Sequence, residues 1–184
     1  QRTCFGSRGS GVQISPSRPR CLERQGEHYC PHVADLPDDL RRRLEDLFRS
    51  DDVATGLGAE LIRWGPGHAA VRAIVDSSHA NFMGVVHGGT LFTFADIALS
   101  FASNSHGRVA LAIQVDIAYH RGVAPGDEVV ATATEISRTR RIANYRLELH
   151  VGDILVASAT GVTYRTDDWH FGSDAWTEEW RATH

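Results

Sequence analysis

"NFMGVVHGGTLFTFADIALSFASNS", residues 81–105, decides how the rest of the chain is read. From Gly88 to Asn104 almost every residue is apolar, small or neutral, and the one charge is Asp96. A helix that is apolar on all sides is one wrapped by protein, since no face of it asks for water. The stretch therefore predicts a central helix over 88–104. A carboxylate on such a helix is costly unless it is exposed, paired or used in chemistry, so Asp96 is singled out.

Working outward toward the N-terminus, "GAELIRW" (58–64) and "HAAVRAIV" (68–75) flank "GPG" and read as two strands joined by a tight turn. Ahead of them, in "DLPDDLRRRLEDLF" (35–48), Leu40, Leu44, Leu47 and Phe48 recur at helical spacing. Pro37, Asp38 and Asp39 suit the first turn of that short amphipathic helix. Toward the C-terminus come four strand-like runs, "RVALAIQVDIAYH" (108–120), "EVVATATEIS" (128–137), "IANYRLELHV" (142–151) and "ILVASATGVTYR" (154–165). The intervening "APGD", "RTRR" and "GD" are turn signals that suit successive antiparallel pairing. Helix, two strands, helix and four strands predict an α+β fold, with a strongly curved antiparallel sheet around one long central helix.

The ends differ from this core. Residues 1–34 are rich in Gly, Ser, Arg and Pro without apolar periodicity, and read as a disordered extension. Its first twenty residues, Arg- and Ser-rich and poor in acids, also suit a transit peptide. Cys4, Cys21 and Cys30 all fall there, which argues against a disulfide framework. His28, Cys30 and His32 with Cys21 match no common zinc spacing, so unstructured thiols are preferred to a metal site. The folded domain is placed at 35–166. The tail 167–184 carries three of the four tryptophans, and Trp176 and Trp180 stand one helical turn apart. It is expected to dock its indoles on the domain or on a neighbouring subunit.

With 184 residues there is room for one domain of ordinary size. The formal charge is −4 and basic residues form no sustained block beyond residue 43, which argues against nucleic acid and anionic membranes as partners. No run of eighteen apolar residues occurs and the N-terminus lacks the apolar stretch of a secretory signal. A soluble, cytoplasmic protein acting on a small metabolite is the expectation.

Candidate chemistry lies in the opening stretch. In "HGGTLF" the pair Gly88 and Gly89 lets backbone approach a ligand, and N–H groups at a helix start are unpaired, which makes an oxyanion site. Asp96 lies eight residues beyond Gly88, about 12 Å along the axis. The two cannot serve one substrate atom from the same helix, whereas a two-fold dimer with antiparallel central helices brings Gly88 of one subunit to Asp96 of the other. Ser100, one turn after Asp96, can donate to the carboxylate or to a water it holds, and Asn81 can supply an amide donor. Each residue also has a plainer explanation. Asp96 can face solvent or a partner's arginine, and His87 is better read as a hydrogen-bonded structural histidine than as a base. Gly88 and Gly89 can be only a tight junction, and Asn81 only a turn residue.

The run N-x5-HGGTLFTFADIALSFASNS resembles the signature of the hotdog-fold acyl-CoA thioesterases, most closely the phenylacetic acid degradation type that acts on phenylacetyl-CoA and hydroxylated relatives. The resemblance continues through "VDIAYHRGVAPGDEVVATATEI", "RRIANYRLELHVGD" and "ILVASATGVTYR", roughly residues 55–165. It implies a sheet wrapped around the helix, and hydrolysis of an aryl- or medium-chain acyl-CoA to free acid and CoA. It also implies a homo-oligomer, dimer or dimer of dimers, with sites at the subunit interface. On this resemblance Asp96 is the catalytic carboxylate, as base on water or nucleophile on the thioester carbon, and the Gly88 N–H is the oxyanion donor. Asn81 places water or substrate, His87 orients the loop, and Gly89 and Ser100 contact substrate. Arg140, in a turn where relatives often carry a cation, is a candidate for the CoA phosphates, with a solvated turn arginine as the plain alternative. Two positions depart from the pattern: Gly122 stands where relatives often have Pro, and Ala112 where some place a serine near the attacking water.

No metal or organic cofactor is needed for this chemistry. Fixed N–H donors stabilise the charge that develops on the thioester oxygen, and a carboxylate in a partly apolar pocket is a stronger base than one in bulk water. The alternative from another class is a non-catalytic acyl-CoA-binding protein of the same fold. Phe82, Met83, Phe92, Phe101 and the stretch from Ile113 to Tyr119 suit an acyl pocket, or equally core packing.

Overall fold

The computed structural model of the chain describes residues 36–184 and, before them, only the backbone of two short strands, β1 (Leu22–Arg24) and β2 (Glu27–Tyr29), paired antiparallel. The expectations for the rest of residues 1–34, including those for Cys4, Cys21, Cys30 and His32, and for the His28 side chain, lie outside the described residues. Leu36–His184 form one compact unit.

That unit opens with α1 (Asp38–Arg49), where Leu40, Leu44 and Phe48 recur every fourth residue and are buried. Leu47, counted above in the same apolar stripe, is exposed, because the buried stripe is only one residue wide. A second helix, α2 (Asp52–Gly56), escaped the sequence reading. Five residues are too few to show a period, and what holds them is local, since the Asp51 carboxylate accepts the N–H groups of Val53 and Ala54, each at 2.9 Å.

The hairpin β3 (Glu60–Gly65) and β4 (His68–Ile74) follows, then α3 (Gly88–Asn104) over the expected span. After it come β5 (Arg108–Tyr119), β6 (Glu128–Arg138), β7 (Ile142–Val151) and β8 (Ile154–Trp169). All six strands from β3 to β8 form one antiparallel sheet in the order β3-β4-β6-β7-β8-β5, and α3 touches every one of them. The helix contributes Leu91, Phe94, Ala95, Ala98, Leu99 and Ala102 to the core. Small alanines let the sheet close on it while Phe94 and Leu99 fill the space between.

The pairing differs from a simple succession in one place. β6 to β7 and β7 to β8 are hairpins as expected, but β5 pairs with β8, and β6 with β4. The "APGD" turn forms, with Asp127 N–H on the Ala124 carbonyl at 3.1 Å, yet it delivers the chain to β4. There Val75 and Gly126 take part in backbone bonds with Asp127 and Val75 respectively. Turn chemistry is local, whereas the strand that receives β6 is set by how the sheet wraps α3. One consequence is that β5 becomes an edge strand.

The tail folds back on its own domain. Trp176 and Trp180 are buried, and their indole N–H groups donate to the His170 and His106 carbonyls at 2.7 and 2.9 Å. Trp180 lies on the last short helix, α4 (Glu178–Thr183). Gly107 has φ +88°, and the Trp176 indole occupies the space where a Cβ would stand. Beneath the tail, His106 Nε2 meets Glu135 Oε2 at 2.7 Å, and the same carboxylate accepts from Arg138 and Tyr145. Among the described residues no helix is long and apolar enough to cross a membrane.

Candidate active site

The approach to α3 is a turn built by Asn81. Its N–H donates to the Val85 carbonyl at 2.7 Å, its carbonyl accepts from Gly84, and its side-chain oxygen accepts from the Met83 N–H at 2.8 Å. This fixes the carboxamide oxygen and leaves the amide NH2 without a partner among the described residues. Phe82 and Met83, at the tip, are 98% and 68% exposed, so neither belongs to the core of this chain.

His87 caps the helix. Its Nδ1 accepts the Gly89 N–H at 2.8 Å, which places the proton of the neutral ring on Nε2. The His87 carbonyl accepts from Thr90 at 2.9 Å and from Leu91 at 3.4 Å. Of the four N–H groups that a helix start leaves open, those of His87, Gly89 and Thr90 are taken, the first by the His79 carbonyl at 2.8 Å. Only the Gly88 N–H has no acceptor among the described residues. Gly89, expected to contact substrate, has its N–H committed to the cap, which leaves Gly88 as the open donor among the described residues of this turn.

Tyr119, at the end of β5, covers this glycine. Its hydroxyl donates to the Gly88 carbonyl at 2.9 Å, and a Cβ on Gly88 would stand 3.1 Å from the phenol ring. A side chain at Gly88 would press on the Tyr119 ring, a packing constraint the sequence did not show. A cavity of approximately 350 Å³ is lined by Gly88 together with Leu91, Tyr119, His120, Arg121 and Val123. His120 and Arg121 were not singled out from sequence, and the signal that could have found them is their place at the exit of a strand beside the helix start.

Asp96 sits half-buried two turns further on, and no hydrogen bond or ion pair reaches its carboxylate among the described residues. Burial pushes its pKa above the ordinary carboxylate value, and the negative charge of Asp51 adds to the rise. Ser100 is exposed one turn beyond, its hydroxyl not bonded to Asp96. Arg140 stands apart on the β6–β7 turn, where it shares Asp167 with Arg108 and Arg141; its own contact is 3.3 Å and its side chain 74% exposed. Asn81, His87, Gly88 and Gly89 thus form one continuous segment, while Asp96 and Ser100 lie further down the same helix.

Comparison with known proteins identifies the family. The model of the thioesterase superfamily matches residues 83–158, from the turn before α3 into β8. A relative from Archaeoglobus fulgidus is 36% identical over 128 residues, covering 68% of this chain and 83% of its own. The acyl-coenzyme A thioesterase PaaI of Escherichia coli is 32% identical over 103 residues, 56% of this chain and 74% of its own. The solved structure of the E. coli PaaI protein from the phenylacetic acid degradation operon superposes with a TM-score of 0.68 at 28% identity, over 70% of this chain and 94% of the other. The chain belongs to the thioesterase superfamily and is, within it, a PaaI-like thioester hydrolase of hotdog fold.

Proposed function

We propose that the protein hydrolyses an aryl- or medium-chain acyl-CoA thioester, of the phenylacetyl-CoA kind, to free acid and CoA, with each site completed by two subunits. The observation that carries this reading is that, among the described residues, one helix carries a half-buried Asp96 carboxylate without a partner and, at its first residue Gly88, an N–H without an acceptor. The thioester oxygen accepts the Gly88 N–H, and the charge it gains in the transition state is stabilised by that donor, worth about 3 kcal/mol in comparable acyl-transfer sites. Asp96 of the other subunit takes a proton from water as it attacks, or attacks the carbonyl carbon itself, expelling CoA to form a mixed anhydride that water then hydrolyses to free acid and Asp96. The Asn81 amide donates to water or substrate, His87 holds the loop, and CoA leaves as the thiol. Ser100 borders the carboxylate, and Gly89 allows close approach without a side chain.

The edge strand supports the two-subunit arrangement. Residues 111–114 of β5 are exposed on both faces, with Leu111 and Ile113 at 58% and 59%. A long apolar edge is an unpaired template for another strand. Pairing β5 with its two-fold copy extends the sheet and sets two α3 helices side by side. Arg140 is the least supported of the site residues, because Asp167 already partners it.

The test is CoA release from phenylacetyl-CoA. Asp96→Ala and Asp96→Asn are expected to lower kcat by at least about a hundredfold while binding persists, as loss of a general base does. Unchanged release would remove Asp96 from the mechanism, and binding without release in the parent protein would favour a non-catalytic acyl-CoA binder.

A further inference from the structure

Two peptide groups meet at the Cα of Gly88, and both bear on where its N–H points. The first, between His87 and Gly88, carries that open N–H, and its carbonyl accepts from Thr90 and Leu91. The second, between Gly88 and Gly89, is gripped at both ends. Its N–H, that of Gly89, donates to His87 Nδ1 at 2.8 Å, and its carbonyl, that of Gly88, accepts the Tyr119 hydroxyl at 2.9 Å. His87 belongs to the turn itself, whereas Tyr119 reaches in from β5, 31 residues away.

Neither partner needs this bond for its own satisfaction. In a helix the carbonyl of the first residue already receives the N–H four residues on, and Tyr119 is 49% exposed, so water can serve its hydroxyl. What the bond adds is position. Glycine has no side chain to limit its backbone, and two in succession make a loose helix start. The Tyr119 ring closes the space beside Gly88, with Cζ 3.1 Å from where a Cβ would stand. Tyr119 is itself anchored, because it pairs with Ala157 of β8, and the next two residues, His120 and Arg121, give their N–H groups to the Val156 carbonyl at 2.8 and 3.2 Å. The hydroxyl thus ties the helix start to the sheet, at a cavity that Gly88 and Tyr119 line together.

We infer that Tyr119 is a positioning residue of the candidate site: through the Gly88 carbonyl its hydroxyl holds the Gly88–Gly89 peptide, so that the adjacent Gly88 N–H stays aimed into the cavity. This rests on the reading of that N–H as the oxyanion donor. A donor fixed beforehand stabilises the charge on the thioester oxygen without reorganising as the charge forms. A donor free to swing loses that gain in the transition state, while binding of the uncharged thioester changes little.

The test is Tyr119→Phe, which keeps the ring and removes only the hydroxyl. With phenylacetyl-CoA, kcat should fall about tenfold while KM stays within about twofold of the parent, the mark of an interaction made in the transition state. A raised KM with unchanged kcat would make Tyr119 only a wall of the cavity and overturn the inference. A second readout needs no turnover. In protein carrying isotope-labelled glycine, hydrogen exchange at the Gly89 amide, which sits on the clamped peptide, should speed up about tenfold in Tyr119→Phe. Gly161, in the middle of β8, should keep its rate and so report an intact sheet. A Gly89 rate that Tyr119→Phe leaves unchanged overturns the inference even where the parent is active. A faster Gly89 in a parent that releases no CoA keeps the clamp on the helix start and refutes the hydrolytic reading alone.

Discussion

At the scale of single residues, the helix start shows how little separates a structural from a chemical amide. Gly88 and Gly89 are neighbours of the same kind, yet the ring of His87 takes one N–H and leaves the other open. Asp96 is set apart in a similar way, its carboxylate without a hydrogen-bond or ion-pair partner among the described residues. Its raised pKa has a testable sign. A base works only when ionised, so activity should fall as pH drops through a value above the ordinary carboxylate range. Replacing the nearby Asp51 by Asn keeps an N-cap oxygen for α2 but removes the negative charge that opposes ionisation. The acid limb of kcat against pH is expected to move to lower pH in Asp51→Asn. A limb that stays in place would show that another group titrates.

At the scale of elements, α1 and the C-terminal tail differ in what holds them. The α1 stripe is apolar packing, and Leu44→Ala should cost about 2–5 kcal/mol of unfolding free energy while Leu47→Ala stays within about 0.5, measured by urea denaturation. The tail is held by indoles over a polar network rich in histidine. Burial lowers the pKa of His106 and of His170, and brings that of His184, stacked on Trp180, to about 4. The groups facing His106 are Glu135, Arg138, Arg165 and His184, and the Glu135 carboxyl lies at about 2, since bonds and charge from His106 and Arg138 outweigh its burial. Histidines with folded values below 6.5 bind protons more readily when released, so their contribution is present above about pH 6.5 and is lost as pH falls through the folded values. Tryptophan fluorescence, with three of four indoles in the tail, should therefore report undocking on acidification from about pH 6.5 toward pH 4. Gly107→Ala should weaken the same docking at neutral pH, because Trp176 fills the Cβ position and φ is +88°. A tail signal flat across that range would assign its hold to packing alone.

At the scale of the molecule, one chain carries both halves of the proposed chemistry but cannot bring them together, since Gly88 and Asp96 lie about 12 Å apart along one helix. A two-fold assembly through β5 meets that requirement. Replacing Leu111 and Ile113 together by Lys should yield a folded monomer in sedimentation experiments, with CoA release lost. Mixed subunits give a sharper reading. An Asp96→Ala protomer and a Gly88→Pro protomer, the latter lacking the donor N–H at the first helical position, are each expected to be inactive alone. Their heterodimer keeps one intact site of two and should recover about half of the parent rate. No recovery after verified subunit exchange would refute sites shared between chains.

How much of this was legible in order of residues follows from the range of the forces involved. The span of α3, the strand runs and the amphipathic α1 are set by local periodicity, and residues 88–104 announced a wrapped helix by having no polar face. The motif around Gly88 and the lone charge of Asp96 stood out for the same reason. The short α2 could not, because a five-residue helix rests on one capping carboxylate. Nor could Tyr119 over Gly88, or the choice of Gly88 as open donor, since each depends on groups far apart in sequence meeting in space. The strand order belongs there too: turn residues determine that the chain reverses, but only closure of the sheet on its helix determines which edge it joins.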